Sequence, residues 1–340
     1  MHMADALLSP AVGGTMWAAS AGAIIYCSRK LRKEMDTGKA PLMGVLGAFL
    51  FAAQMINFTI PATGSSGHLG GGLLLAVLLG PAAAFITIAS VLVVQALFFA
   101  DGGLLALGCN IFNLGFFPAF IAYPFIYKPL VGSAPSKVRI TVAAMVAAIV
   151  GLQMGAFAVV LETVASGISS LPFATFVSLM QPIHLAIGVV EGLVTGAVVS
   201  FVYQARPEII QSVQANRPLG ATPLRNVLAA FLVAALLTGG FVSWFASENP
   251  DGLEWAIAKV IGGEESAEPQ AGLHARLAAL QESVAFLPEY TFKKSEQQPE
   301  NVAVQESSLG TSVAGIVGGL LTLAIAFLSG SLLRKKERMA

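Results

Sequence analysis

Long apolar stretches separated by short polar segments recur along the whole chain. A helix of about 20 apolar residues is long enough to cross the hydrocarbon core of a bilayer. The pattern predicts an all-α, polytopic membrane protein with spans at residues 13–27, 41–58, 81–99, 104–127, 140–162, 182–203, 227–245 and 312–333. The composition agrees, because only 11% of the residues are charged, against roughly 25% in soluble domains.

The basic residues predict one additional, short crossing. They cluster at residues 29–33, 128–139, 206–225 and 334–336, and the positive-inside rule places all four clusters in the cytoplasm. With the N-terminus outside, the clusters agree only if the run 70–79 also crosses. A helix of that length spans about 15 Å, half of the roughly 30 Å core. The run is therefore predicted to be a short, broken helix, and such elements mark binding sites in transporters.

Two membrane modules are predicted. Residues 1–203 form a domain with about seven crossings, and residues 204–226 form a cytoplasmic linker that contains three prolines. Residues 227–340 form a hairpin of two transmembrane helices with a cytoplasmic C-terminus. The hairpin encloses an external segment, residues 246–310, with eleven acidic residues against four lysines and arginines. The start of the chain has no basic region before its first apolar stretch, so a signal peptide is not expected.

Two histidines, His2 and His68, are candidate metal ligands. The α-amine of Met1, the backbone nitrogen of His2 and the ring Nδ1 of His2 can close two fused chelate rings in one plane. His68, in a glycine-rich stretch, would supply a fourth nitrogen. Planar nitrogen ligation suits Ni(II) or Cu(II), and less strongly Co(II). Taken alone, a histidine at position 2 is more often coincidental. Cys27 and Cys109 lack a C-x-x-C partner, so they are predicted to be buried apolar residues.

Several polar residues in or beside the apolar spans are further candidates. One alternative is that they orient metal ligands and the backbone of the broken element. The other is that they form hydrogen bonds between helices, which is favoured for Asn110. His184 and Glu191 share one helix face, either as a proton relay or as a structural pair. The candidates are Asn57, Ser65, Asp101, Asn110, His184 and Glu191.

Four segments resemble the CbiM/NikM family, the substrate-binding membrane components of energy-coupling-factor (ECF) importers for cobalt and nickel. They are residues 1–5, 64–71, 101–110 and 184–192. Residues 250–255 resemble the PDGLE signature of the accessory subunits CbiN and NikN, here in the same chain. The family's ligand set carries over as the Met1 amine, the His2 amide and ring, and the His68 ring. Residues 3–6 depart from the usual family sequence, which leaves the preference between Ni²⁺ and Co²⁺ open.

The resemblance implies a transporter component of a prokaryotic cell membrane, with no cofactor and no catalytic residue. It implies separate ECF ATPase subunits and a transmembrane coupling subunit as partners. The chain agrees with this, because it has no G-x-x-x-x-G-K-[ST] loop. Membrane lipid and a divalent metal ion are the other expected partners, and nucleic acid is not one.

Two alternatives from other classes remain open. A metal-gated channel or sensor would bind the same ions without an ATPase. An intramembrane hydrolase would use His184 as base and Glu191 to orient it, but no G-x-S-x-G nucleophile accompanies them.

Overall fold

The computed structural model describes residues 2–34, 38–168, 171–220, 222–261, 272–292 and 300–334, with side chains for all of these except 300–307. Met1, a predicted ligand, lies outside the described residues, as do Lys335 and Lys336 of the last basic cluster. The helices are α1 (Pro10–Glu34), α2 (Lys39–Gln54), α3 (Gly72–Leu79), α4 (Pro81–Phe99), α5 (Leu107–Val131), α6 (Lys137–Ser166), α7 (Phe173–Ala205), α8 (Pro207–Gln214), α9 (Arg225–Gly240), α10 (Gly252–Ile261), α11 (Gly272–Val284) and α12 (Glu300–Leu333). The strands are β1 (Phe58–Ile60) and β2 (Ser65–Gly67).

The predicted class, a polytopic helical membrane protein, is confirmed. Five described helices are long and apolar enough to cross a membrane, namely α4, α5, α6, α7 and the part Ser308–Leu333 of α12. Helices α2 and α9 are apolar but shorter. Large apolar side chains such as Leu193 and Phe201 face outward, each 52% exposed. Extensive exposed apolar surface marks contact with a membrane or a partner, which fits a lipid environment here.

The short element predicted at residues 70–79 is present as α3. All eight of its residues are buried, so its backbone is covered by protein, as broken helices at membrane depth require. The helix stops at Gly80, whose φ of +83° is accessible to glycine at little cost. Pro81 then opens α4 in the first helical position, where its missing N–H is not needed.

Two predicted spans continue past the C-terminal ends of their helices. Helix α2 ends at Gln54 rather than at residue 58, because the following residues enter an antiparallel ladder in which Phe58 pairs with Gly67. The ladder satisfies backbone groups that would otherwise lie unpaired beside the site. Helix α9 ends at Gly240 rather than at residue 245, and a short 3₁₀ turn, Val242–Phe245, follows it.

The second module packs along the first. Helix α12 lies against α2 and α4, and α9 lies against both α2 and α12. Helix α10 packs on α7, and α11 lies beside α4. The predicted linker contains α8, which buries Ile209, Ile210 and Val213 and lies beside α3 and α7. Both modules therefore contribute to the region around β2 and the end of α4.

Candidate metal site

Segments from both modules meet around one cavity of about 740 Å³. The residue after Met1, the turn that follows β2, the loop that follows α4, and residues 249–254 and 274–290 of the second module all reach it. Its wall carries imidazole nitrogens and carboxylates, which suit a cation; they include His2, His68, Asp101, Asp251, Glu254 and Glu289.

The structure brings the two predicted histidines together. The rings of His2 and His68 stack with their centroids 4.8 Å apart and their planes 8° from parallel. The Nδ1 atom of His68 lies 3.1 Å from the carbonyl oxygen of Leu69. A metal-binding histidine commonly donates one ring N–H to such a carbonyl and binds the metal through its other nitrogen. This contact therefore favours Nε2 of His68 as the ligating atom.

The charge state of His68 also suits ligation. Its side chain is buried, and burial lowers the pKa of the imidazole to about 3, although Asp251 and Asp101 act in the opposite direction. The ring is therefore neutral near pH 7, and the neutral form is the one that binds metal.

Asp101 contacts the predicted ligand His2 directly. Its Oδ1 lies 3.0 Å from Nδ1 of His2, and its Oδ2 accepts a hydrogen bond from the hydroxyl of Tyr290. Burial raises the pKa of Asp101, but the adjacent His2 and the two hydrogen bonds outweigh this and hold the pKa well below its usual range. The nitrogen that the chelate requires thus faces a carboxylate in this arrangement.

Asn110 fixes the residue that follows His2. Its Oδ1 accepts from the backbone N–H of Met3 at 2.8 Å, and its Nδ2 donates to the carbonyl of Met3 at 3.3 Å. The N–H of Gly103 donates to the same carbonyl, and Asp5 accepts from the N–H of Ala106. The interhelical role favoured for Asn110 from the sequence is therefore wrong, because its hydrogen bonds hold the N-terminal segment.

Glu191 and Gln54 fix the backbone just after His68. The carboxylate of Glu191 accepts from the N–H of Gly70 at 2.7 Å and from that of Gly71 at 3.1 Å. Gln54 donates to the carbonyl of Gly70 at 2.9 Å. The carboxylate thereby satisfies two N–H groups at the start of α3, where no helical carbonyl can reach them. Both side chains act on the backbone two residues beyond the His68 ring.

A Glu191→Gln variant is expected to weaken metal binding by about tenfold, the lower end of the range for partners that orient ligands. The amide keeps one accepting oxygen but replaces the other with an NH₂ group, so one of the two glycine N–H groups loses its partner. Isothermal titration with Ni(II) measures the effect. Glu162→Gln is the matched control, because Glu162 lies on α6 and accepts a hydrogen bond from Asn113 of α5 rather than from the glycine backbone. Equal affinities in both variants would contradict the role of Glu191.

His184 and Glu191 do not form the direct pair considered from the sequence. Nδ1 of His184 lies 2.8 Å from the carbonyl of Met180 in its own helix. Its Nε2 is buried and has no hydrogen-bond partner in the described part of the chain. The ring lines a small void of about 10 Å³ beneath Gly67 and His68. His184 thus supports the loop by packing, whereas Glu191 holds it by hydrogen bonds.

The two remaining candidates hold the surrounding loops. The hydroxyl of Ser65, the first residue of β2, lies 2.9 Å from that of Thr63 in the turn before it. The carbonyl of Asn57 accepts from the N–H of Ser247 at 2.7 Å, and Asn57 also lines the cavity.

The PDGLE motif starts α10 with a capping box. Oδ1 of Asp251 accepts from the N–H groups of Leu253 and Glu254. Glu254 reaches back, and its Oε2 accepts from the N–H of Asp251. These reciprocal bonds satisfy donors of the first helical turn. Asp and Glu at this spacing therefore define the start of the helix as well as lining the cavity.

The same motif joins the turn that leads to His68. The N–H of Ser66 donates to the carbonyl of Pro250 at 2.8 Å, and the Ser66 hydroxyl donates to that of Asn249 at 2.7 Å. Trp255 donates from its indole nitrogen to the carbonyl of Thr63. At Gly252 an added Cβ would lie 2.5 Å from the side chain of Ile183. The motif thus extends the small sheet two residues before His68 and packs closely on α7.

Sequence reasoning missed three residues that shape the site. Tyr290, Gln281 and His274 come from the second module, far along the chain from the residues that they contact. No local pattern could identify them, because their significance depends on how α11 lies over the loop that follows α4.

Fold and site together define a polytopic helical membrane protein with a cavity suited to a small cation. Residues 2–209 match the CbiM family model, described as a cobalt uptake substrate-specific transmembrane region. Residues 225–335 match the PDGLE domain. The chain belongs to the CbiM family and carries a PDGLE domain in the same polypeptide, so the resemblance noted from the sequence is confirmed.

Full-length relatives share this fused architecture. The chain is 30% identical to a protein of Archaeoglobus fulgidus provisionally named fused nickel transport protein NikMN, over 96% of this chain and 97% of the relative. It is 29% identical to the fused nickel transport protein NikMN of Rhodobacter capsulatus, over 98% of each chain. A crystal structure of a truncated transition metal transporter superposes with a TM-score of 0.54 at 31% identity, covering 60% of this chain and 99% of that one. The protein is therefore a membrane component of metal transport.

Proposed function

We propose that this chain is the substrate-binding membrane component of an ECF-type importer and that it captures Ni²⁺ or Co²⁺. The ligands are the Met1 amine, the backbone nitrogen and ring of His2, and the ring of His68. The observation that carries the proposal is the 4.8 Å separation of the His2 and His68 rings in a carboxylate-lined cavity of a CbiM-family chain.

The cavity suits capture of a dilute cation in two stages. Carboxylates at Asp101, Asp251, Glu254 and Glu289 line it, and clefts lined by one sign of charge concentrate ions of the opposite sign. The cation then exchanges water for nitrogen ligands. Neutral imidazole and a planar set of nitrogens favour late first-row metals over Mg²⁺ and Ca²⁺, which prefer oxygen. The selectivity thus comes from the two histidines, and the carboxylates assist entry.

The partners follow from what the chain lacks. It has no phosphate-binding loop, so we propose that separate ECF ATPase subunits and a transmembrane coupling subunit supply energy. In this topology the cavity opens outside a prokaryotic cell membrane, the C-terminus is cytoplasmic, and residues 204–226 link the two modules. Copurification of a nucleotide-binding subunit with the tagged chain tests this. ATPase-independent uptake would favour the metal-gated channel instead.

Inserting one alanine between Met1 and His2 is expected to make metal binding independent of His68 while the protein still folds. The insertion keeps every side chain but adds a second amide nitrogen between the amine and the histidine ring, so the amine, two amides and the ring can complete a square of four nitrogens without His68. Titration of the inserted chain with Ni(II), with and without His68→Ala, measures this. An alanine inserted in the linker after Arg217 is the control, because it leaves the N-terminus unchanged. A dependence on His68 that survives the insertion at position 2 would show that the amine is not a ligand.

The intramembrane hydrolase is less well supported. His184 directs Nδ1 to the carbonyl of Met180, and Glu191 is engaged by two backbone N–H groups. Neither group faces a nucleophile in the described hydrogen bonds, so no observation favours hydrolysis.

A further inference from the structure

A segment of the second module covers the loop that carries Asp101. We call Gly272–Tyr290 the cap segment; it comprises α11 and the turn that follows it. Gln281 donates from Nε2 to the carbonyls of Ala96 and Gly102, at 2.8 and 2.7 Å. The N–H of Leu287 donates to the carbonyl of Phe98. The cap segment is thus bonded to the end of α4 on both sides of Asp101.

The cap segment also reaches the N-terminal segment. The Nε2 atom of His274 lies 2.8 Å from the carbonyl of Leu8, six residues beyond His2. These contacts are separate from the PDGLE motif, which binds the turn that leads to His68. The second module therefore contacts the segment around each predicted histidine through a different element.

Tyr290 ends the cap segment in contact with Asp101. Its ring stacks on Phe99, with centroids 5.2 Å apart and planes 18° from parallel, and it meets Phe51 edge-on. Its hydroxyl donates to Oδ2 of Asp101 at 2.5 Å. The other carboxylate oxygen faces Nδ1 of His2 at 3.0 Å. A continuous chain of hydrogen bonds therefore runs from the cap segment to His2.

The series of hydrogen bonds ends at Nδ1 of His2, and the proposed chelate needs this atom. A five- and six-membered chelate through the His2 amide can close only on Nδ1 of the same residue, because Nε2 points away from the backbone. A nitrogen that donates its proton to Asp101 has no lone pair for a metal. Asp101 and the metal ion therefore compete for the same atom.

Resting on the proposed function, we infer that Tyr290 is a positioning residue that holds Asp101 against His2, so that metal loading and release of the cap segment are coupled. When the metal takes Nδ1 of His2, Asp101 must turn away and its bond with Tyr290 is strained or lost. Coupling of this kind is reciprocal. A cap segment that is already released therefore favours metal binding, and a firmly held one opposes it.

Tyr290→Phe tests the inference directly. The substitution keeps the aromatic stacking and the charge of Asp101, and it removes only the hydroxyl that holds the carboxylate. Affinity for Ni(II), titrated into the full chain in detergent, is expected to tighten by about threefold to tenfold. Tyr26→Phe is the matched control, because Tyr26 is 58% exposed on α1 away from the cavity. Unchanged or weaker affinity in Tyr290→Phe would overturn the coupling.

Two further readouts separate positioning from a general structural effect. The ligand-field absorption of bound Ni(II) should be unchanged in Tyr290→Phe, because its ligands are the same. Amide hydrogen exchange of residues 286–292 should rise when Ni(II) binds the wild type, and should be high in Tyr290→Phe before any metal is added. Exchange that is unaffected by Ni(II) in the wild type would contradict the inference.

The same titration distinguishes the two proposals. If the wild type lacks affinity that depends on His68, the proposed function fails. If the wild type binds Ni(II) through His68 and Tyr290→Phe does not bind it more tightly, only the inference about Tyr290 fails.

Discussion

Replacing His68 with alanine is expected to lower the affinity for Ni(II) and Co(II) by more than about 100-fold, beyond the loss caused by removing a partner that merely orients a ligand. The variant removes the fourth nitrogen and leaves the chelate of Met1 and His2 as the only nitrogen ligands. The glycine-rich loop should keep its course, because Glu191 and Gln54 hold its backbone rather than its histidine ring. Equilibrium titration of the purified chain measures the change.

His184→Ala is the control for His68→Ala. His184 is fully buried and lies beneath the same loop, but it directs Nδ1 to its own helix. Its removal should cost about tenfold in affinity, as expected for a residue that acts through the loop. If His184→Ala proves the more sensitive of the two, the assignment of His68 as a ligand is wrong.

Replacing Gly252 with valine is expected to abolish uptake in cells while equilibrium binding of the metal largely persists. A Cβ at this position would lie 2.5 Å from Ile183 and 3.4 Å from the ring of His184, so α10 must move off α7. The movement pulls Pro250 from Ser66 and disconnects the PDGLE motif from the turn that leads to His68. The measurements are ⁶³Ni accumulation in cells that lack other importers and titration of the purified variant.

Gly22→Val is the matched control for uptake, because an added Cβ at Gly22 meets no heavy atom within 4 Å. Uptake at the wild-type rate in Gly252→Val would exclude a role for this docking contact. Loss of binding together with uptake would mean that the motif builds the ligand site itself, rather than coupling it to transport.

The second module makes two contacts near the site, and we expect them to have different roles. The PDGLE motif adds backbone hydrogen bonds to the turn before His68, whereas the cap segment acts on His2 through Asp101 and Tyr290. The first contact involves mainly backbone groups and close packing, which hold a loop in place. The second joins a carboxylate, a phenol and an imidazole, each of which can exchange partners. We therefore expect the first to resist change during metal loading and the second to respond to it.

The sequence by itself determined that the chain is a polytopic membrane protein and that it contains the short helix α3. It also singled out His2 and His68 as candidate ligands. The length of an apolar run can be compared directly with the thickness of the bilayer core. The interrupted run before Pro81 was too short to be an ordinary span. The resemblance to the CbiM/NikM family supplied the proposed ligand set, because that set depends on residue types at fixed positions.

The tertiary structure alone decided what surrounds those histidines. The Tyr290 hydroxyl meets Asp101 across 189 positions of sequence, and Glu191 meets Gly70 across 121. Such contacts leave no periodic trace, since they depend on how separate helices pack. The two short strands escaped prediction for the same reason, because three residues paired across a turn carry almost no pattern of their own. The bond between Nδ1 of His2 and Asp101 could be found only in three dimensions, because the choice of partner for a ring nitrogen is set by what the fold places beside it.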